Sequence, residues 1–138
     1  MLFISTDRNG ERVEYRDNKR WLWILSVLSP SLPGLTAVAY LLTGNGWWAL
    51  APVAFYYGVY IVGDHLVGTD PNNPPEEVVE DMAADPYYRV LLFMSVPVFC
   101  FSFLACAIAA GQPETPVWAW IGLVVAAGVS SGTAITVG

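Results

Sequence analysis

The chain has 138 residues, of which 55% are hydrophobic, 14% aromatic and only 13% charged, too little polar surface to coat a soluble globule of that size. Its formal charge is -6, and five of its six basic residues fall within the first twenty positions. Duplex binding rests on Lys and Arg arrayed against phosphates, so no nucleic-acid partner is expected and the lipid bilayer is the expected solvent.

Residues 1–20 mix Asp7, Arg8, Glu11, Arg12, Glu14, Arg16, Asp17, Lys19 and Arg20. The apolar stretch that follows has no small-residue cleavage site at the right distance, so this segment reads as a cytosolic tail and not as an export signal. From Trp21 to Gly63 there are 43 residues without a charged side chain or histidine. One crossing of a hydrocarbon core takes about 20 residues, so this block holds two spans. The first is placed at about 21–42, entered through Trp21 and Trp23 with Pro30 and Pro33 as kinks, and the second at about 47–65, opened by Trp47-Trp48. Thr43-Gly44-Asn45-Gly46 is the turn between them.

A polar connection follows at 66–87, with a short surface helix expected over Glu76–Ala84 because Pro74 and Pro75 suit its start and Glu76 and Glu77 its first turn. A third span is placed at about 88–110, with Pro97 inside it, and a fourth at 117–138 behind Trp118 and Trp120. The fold expected is all-α, a polytopic membrane bundle with four transmembrane helices in this chain. Lys and Arg lie before the first span and, as Arg89, in the middle connection, which sets the N-terminus and the 66–87 loop in the cytoplasm. Gly122, Ala126, Ser130, Ala134 and Gly138 recur every four residues, a stripe that suits close helix packing. Cys100 and Cys106, six apart in an apolar run, read as small hydrophobes and not as a disulfide or metal pair.

Chemistry has few candidates. There is one histidine, His65, with no second one at ligand spacing, and no Gly-rich phosphate loop. Tyr60, Tyr57 and Tyr56 stand four, seven and eight residues before Asp64, the spacing of one helical face. They form either an aromatic wall leading to a carboxylate or an interfacial belt beside a water-facing helix end. Asp70, Asn72 and Asn73 before two prolines make rigid turns, which suit a cap over a site or a plain connector.

The pattern Asp64-x-x-x-Gly68-x-Asp70-x-x-Asn73-Pro74-Pro75-Glu76-Glu77, followed by Tyr87-Tyr88-Arg89-Val90-Leu91, resembles the N-terminal half of the integral-membrane alkane 1-monooxygenases. Lys19-Arg20-Trp21-Leu22-Trp23-Ile24-Leu25-Ser26 is similar to that family's lead into its first span, and Thr136-Val137-Gly138 to the approach to its first histidine motif, H-E-L-x-H-K. The resemblance implies a six-span enzyme whose two non-haem iron ions are held by histidines. It would use O2 and electrons from rubredoxin to hydroxylate the terminal carbon of a medium-chain n-alkane in the bacterial inner membrane. None of the family's histidine motifs falls in these residues, so the implied segment carries no metal ligand, is inactive alone, and stops just before the first motif. The resemblance leaves Asp64 as a candidate hydrogen-bond partner of an iron-bound histidine, Tyr56, Tyr57 and Tyr60 as candidate substrate-channel residues, and Gly68, Asp70, Asn73, Pro74 and Pro75 as a candidate cytosolic cap. Two other readings stay open: a related di-iron hydroxylase or desaturase, and a non-enzymatic four-span scaffold.

Overall fold

The computed structural model describes residues 1–7, 9–67 and 73–137; at Asp64, Val67 and residues 133–137 it describes the backbone alone. The chain opens with strands β1 (Leu2–Thr6) and β2 (Arg12–Arg16), paired antiparallel from Leu2 opposite Arg16 to Thr6 opposite Arg12. The Asp7 carboxylate accepts the backbone N–H groups of Asn9 and Glu11, both at 2.8 Å, and Gly10 takes the left-handed conformation that closes the turn. A helical chain follows: a 3-10 turn (Arg20–Ile24), α1 (Leu25–Thr43), α2 (Trp47–Ala54), a π-helical segment (Phe55–Tyr60), α3 (Ile61–Val67), α4 (Glu76–Ala84), α5 (Pro86–Ala110) and α6 (Val117–Val137).

The second apolar block is one continuous helical run from Trp47 to Val67 whose middle turn is wound wider. Arg20–Thr43 and Pro86–Ala110 are each long and apolar enough to cross a membrane, with mean hydropathy 1.5 and 2.4; Trp47–Gly63 and Val117–Gly132 are shorter apolar helices. Where a third span was expected from about residue 88, the helix already begins at Pro86. Asp85 caps it, accepting the N–H of Tyr87 at 2.8 Å, and proline at the first position gives up no bond the helix would have made. Helix α4 starts from Pro75, whose extended backbone precedes the first turn.

Helix α1 runs unbroken through Pro30 and Pro33 and packs along α5. At Gly34 the two backbones are so close that a Cβ would stand 2.8 Å from the Cα of Ser102 and 2.6 Å from the Phe101 ring. Helix α6 lies against α2 in the same way, with a Cβ at Gly122 meeting the carbonyl oxygen of Ala49 at 2.8 Å. The small-residue stripe therefore serves packing where it is described: Gly122, Ala126 and Ser130 are buried. Ala37, Tyr40, Ala49, Ala105, Cys106, Ala109, Ala119 and Leu123 form the core of the bundle. Cys100 and Cys106 are both free thiols, the first exposed and the second buried.

A second, smaller core of Phe3, Val78 and Met82 joins the hairpin to α4, with Val13, Tyr15 and Tyr88 packed around it. The segment read from sequence as a cytosolic tail thus carries strands β1 and β2, a hairpin seated on the surface helix.

Replacing Gly34 by Val forces α1 and α5 apart, because one of the atoms in the way is backbone. The expected loss is about 1–3 kcal/mol of unfolding free energy, the cost of overpacking a filled site, read as a lower midpoint of thermal or detergent unfolding.

Candidate functional site

The three tyrosines singled out in the sequence lie on the second helix but do not share one environment. Tyr56 is 5% exposed, Tyr57 57% and Tyr60 41%. Tyr56 turns toward α1, and its hydroxyl donates to the carbonyl oxygen of Ser29 at 2.7 Å. That carbonyl stands four residues before Pro33, which has no N–H to offer it. The Tyr56 ring also meets Phe55 and Tyr60, with centroids 6.0 and 5.6 Å away. Tyr57 points outward. Tyr56 is therefore the inward ring of the three; Tyr60 touches it from an exposed position, and Tyr57 takes no part in that contact.

Asp64 lies on α3; its side chain is outside the described residues. His65 follows in the last turn of α3 and is exposed. Of the candidate cap, Gly68 and Asp70 lie outside the described residues, Asn73 is exposed, and Pro74 and Pro75 are half-buried at the start of α4. Among the described residues no three His, Cys, Asp or Glu side chains gather where they could hold a metal ion.

Two features were not found by sequence reasoning. Ser102 of α5 donates to the carbonyl of Pro30 at 2.5 Å, and the Cys106 thiol approaches the carbonyl of Pro33 at 3.6 Å. At the other end, Arg20 pairs with Asp85 at 2.8 Å, lies 4.5 Å from the Tyr87 ring centre and receives the Tyr87 hydroxyl on its own carbonyl at 2.9 Å. The Tyr88 hydroxyl donates to the carboxylate of Asp17, which is 3% exposed. The first joins residues 72 and 73 apart and the second residues 65 to 71 apart, so neither leaves a local sequence signal.

Between α5 and α6 an apolar groove of about 380 Å³ is lined by Phe99, Cys100, Phe103, Leu104, Ala127, Ser130 and Ser131.

No protein-family model matches the chain. Among curated proteins it is 34% identical over 126 residues to alkane 1-monooxygenase 1 of Alcanivorax borkumensis, covering 90% of this chain and 31% of that protein. It is 34% identical to the alkane 1-monooxygenase of Pseudomonas putida over 91% of this chain, and 37% identical to that of Ectopseudomonas oleovorans over 91%; each alignment again takes in 31% of the relative. The chain is a homologue of the alkane 1-monooxygenases. It spans about 31% of the length of these relatives, so an alkane 1-monooxygenase of their size holds more than twice as much polypeptide as is described here.

Removing the Tyr56 hydroxyl tests the inward ring. Tyr56→Phe is expected to lower unfolding free energy by about 0.6 kcal/mol, and at most about 1.7, the range of hydrogen bonds between helices in bilayers. Tyr57→Phe should leave it unchanged in the same detergent-unfolding measurement.

Proposed function

We propose that this chain is the N-terminal membrane region of an alkane 1-monooxygenase that hydroxylates the terminal carbon of medium-chain n-alkanes to 1-alkanols. The observation that carries the reading is homology to three such enzymes at 34–37% identity over 90–91% of the chain. All four apolar helices cross the bacterial inner membrane in this proposal, with the N-terminal hairpin and α4 on the cytoplasmic side, where the basic residues gather. O2 is the oxidant and rubredoxin the electron donor.

The residues described here do not fit a di-iron centre: the whole chain has one histidine, against the three or four ligands that even one such metal takes. In this reading both irons are held by histidines outside these 138 residues, and the chain contributes substrate passage and support. Hydrocarbon favours an apolar concave channel, and the Tyr56 ring, buried and held by the Ser29 carbonyl, is proposed as one of its walls. Asp64, about 12 Å farther along the helix axis at 1.5 Å per residue, is proposed to accept a hydrogen bond from a metal-ligating histidine. Gly68, Asp70, Asn73, Pro74 and Pro75 are proposed to cap the cytoplasmic mouth.

Two outcomes in the complete enzyme test this. Tyr56→Leu shifts the longest accepted n-alkane upward while shorter ones are still turned over, and Tyr57→Leu leaves the length profile alone; identical profiles for parent and Tyr56→Leu remove Tyr56 from the channel. Asp64→Ala lowers metal content or turnover by about 10- to 100-fold, the usual loss when a partner of a metal ligand is deleted; unchanged values leave Asp64 a solvated helix-end residue.

A further inference from the structure

The second helix is not wound uniformly, and its irregular turn contains the buried tyrosine and precedes the carboxylate. Phe55–Tyr60 are π-helical, a winding that takes more residues per turn than the α-helix on either side. An independent sign of this is the pair Phe55 and Tyr60, five positions apart with ring centroids 5.5 Å from each other. In an α-helix five residues turn by about 140° past a full circle, and such rings point apart.

We infer that this π turn is a register device that sets Asp64 on the face of Tyr56, making Asp64 the positioning residue at the end of the aromatic wall. The inference rests on the proposed role of that wall. In an uninterrupted α-helix Asp64, eight residues beyond Tyr56, would stand about 80° away around the axis. A turn that takes up one extra residue makes the separation behave as seven, which returns Asp64 to within about 20° of Tyr56. Tyr56 faces α1 through Ser29, so this is the side of the helix that carries the buried ring. His65 falls about 100° farther round and leaves it. Isolated single π turns recur at functional sites because an added residue there changes one local face and keeps the faces beyond it.

The turn itself is tested without reference to activity, in the 138-residue chain carrying His65→Gln. Phe55→His and Tyr60→His together should bind Cu(II) at least about tenfold more tightly than either change alone, since two imidazoles then converge on one ion. Equal affinities overturn the π turn. Its purpose is tested in the complete enzyme with single deletions. Deleting Gly58 removes the extra residue and should leave turnover within about threefold of the parent, because Asp64 keeps its face. Deleting Val62 swings Asp64 by about 100° and should cost as much turnover as Asp64→Ala. Adding His65→Asp to the Val62 deletion puts a carboxylate back in the vacated position and should recover turnover, which mere misfolding would not allow. A Gly58 deletion as harmful as the Val62 deletion, or no recovery, overturns the inference. If Asp64→Ala is itself silent, the proposed role of the wall falls, and the copper result still decides the geometry.

Discussion

Inside a bilayer no water is present to bond a carbonyl that a proline has freed, and α1 carries two prolines in its central turns. The Ser29 carbonyl, four residues before Pro33, is one of the two so freed, and the Tyr56 hydroxyl bonds to it. Ser102 and Cys106 of α5 reach the neighbouring carbonyls of Pro30 and Pro33, which no proline has freed. Gly34 allows this by letting α5 approach to backbone contact. Carbonyls in this one stretch of α1 thus hold both the second helix and α5 to α1. Between membrane-spanning helices in general, such bonds and close packing supply the order that a hydrophobic drive supplies in water.

The two ends of the bundle are closed by different chemistry. At one end Trp47 packs on Trp118 at 5.6 Å between centroids, and the Tyr40 hydroxyl donates to Thr115 at 2.9 Å, tying the two outer turns together. At the other, Arg20 and Asp17 anchor the first helix to Asp85, Tyr87 and Tyr88 at the start of α5, and the hairpin seats on α4 beside them. Helix α3 belongs to neither end: among the described elements it packs only on the π segment that precedes it. Tyr56 therefore belongs to the packed bundle, while the helix that follows it is left uncovered by the other described elements.

Much of this was legible in the residues. Uncharged runs between connections rich in Gly, Pro and Asn place all four apolar helices, because charge is kept out of long apolar helices for reasons independent of the fold, and Pro75-Glu76-Glu77 places the Glu76–Ala84 helix; the prolines inside the runs do not break them. The hairpin was missed although Arg12-Val13-Glu14-Tyr15-Arg16 alternates polar and apolar as a strand does; its density of charge drew the reading toward a solvated tail. Which of Tyr56 and Tyr57 turns inward depends on the pitch of the helix, and no residue in Phe55–Tyr60 announces a π turn. Cys106 read as a small hydrophobe and Ser102 drew no reading, since their acceptors lie 73 and 72 residues away. The family resemblance rested on Asn73-Pro74-Pro75-Glu76-Glu77 and its neighbours, a local pattern that survives without any knowledge of packing, and homology over 90% of the chain agrees with it.

The central claim is that Tyr56 stands in for the N–H that Pro33 lacks, and a double-mutant cycle between the two addresses it directly. Pro33→Ala returns an N–H to the Ser29 carbonyl. The account predicts that Tyr56→Phe, destabilising in the parent chain, then costs nothing measurable in detergent unfolding, so that the coupling energy equals the whole cost of the single change. Additive losses, with Tyr56→Phe as costly in the Pro33→Ala background as in the parent chain, would contradict it.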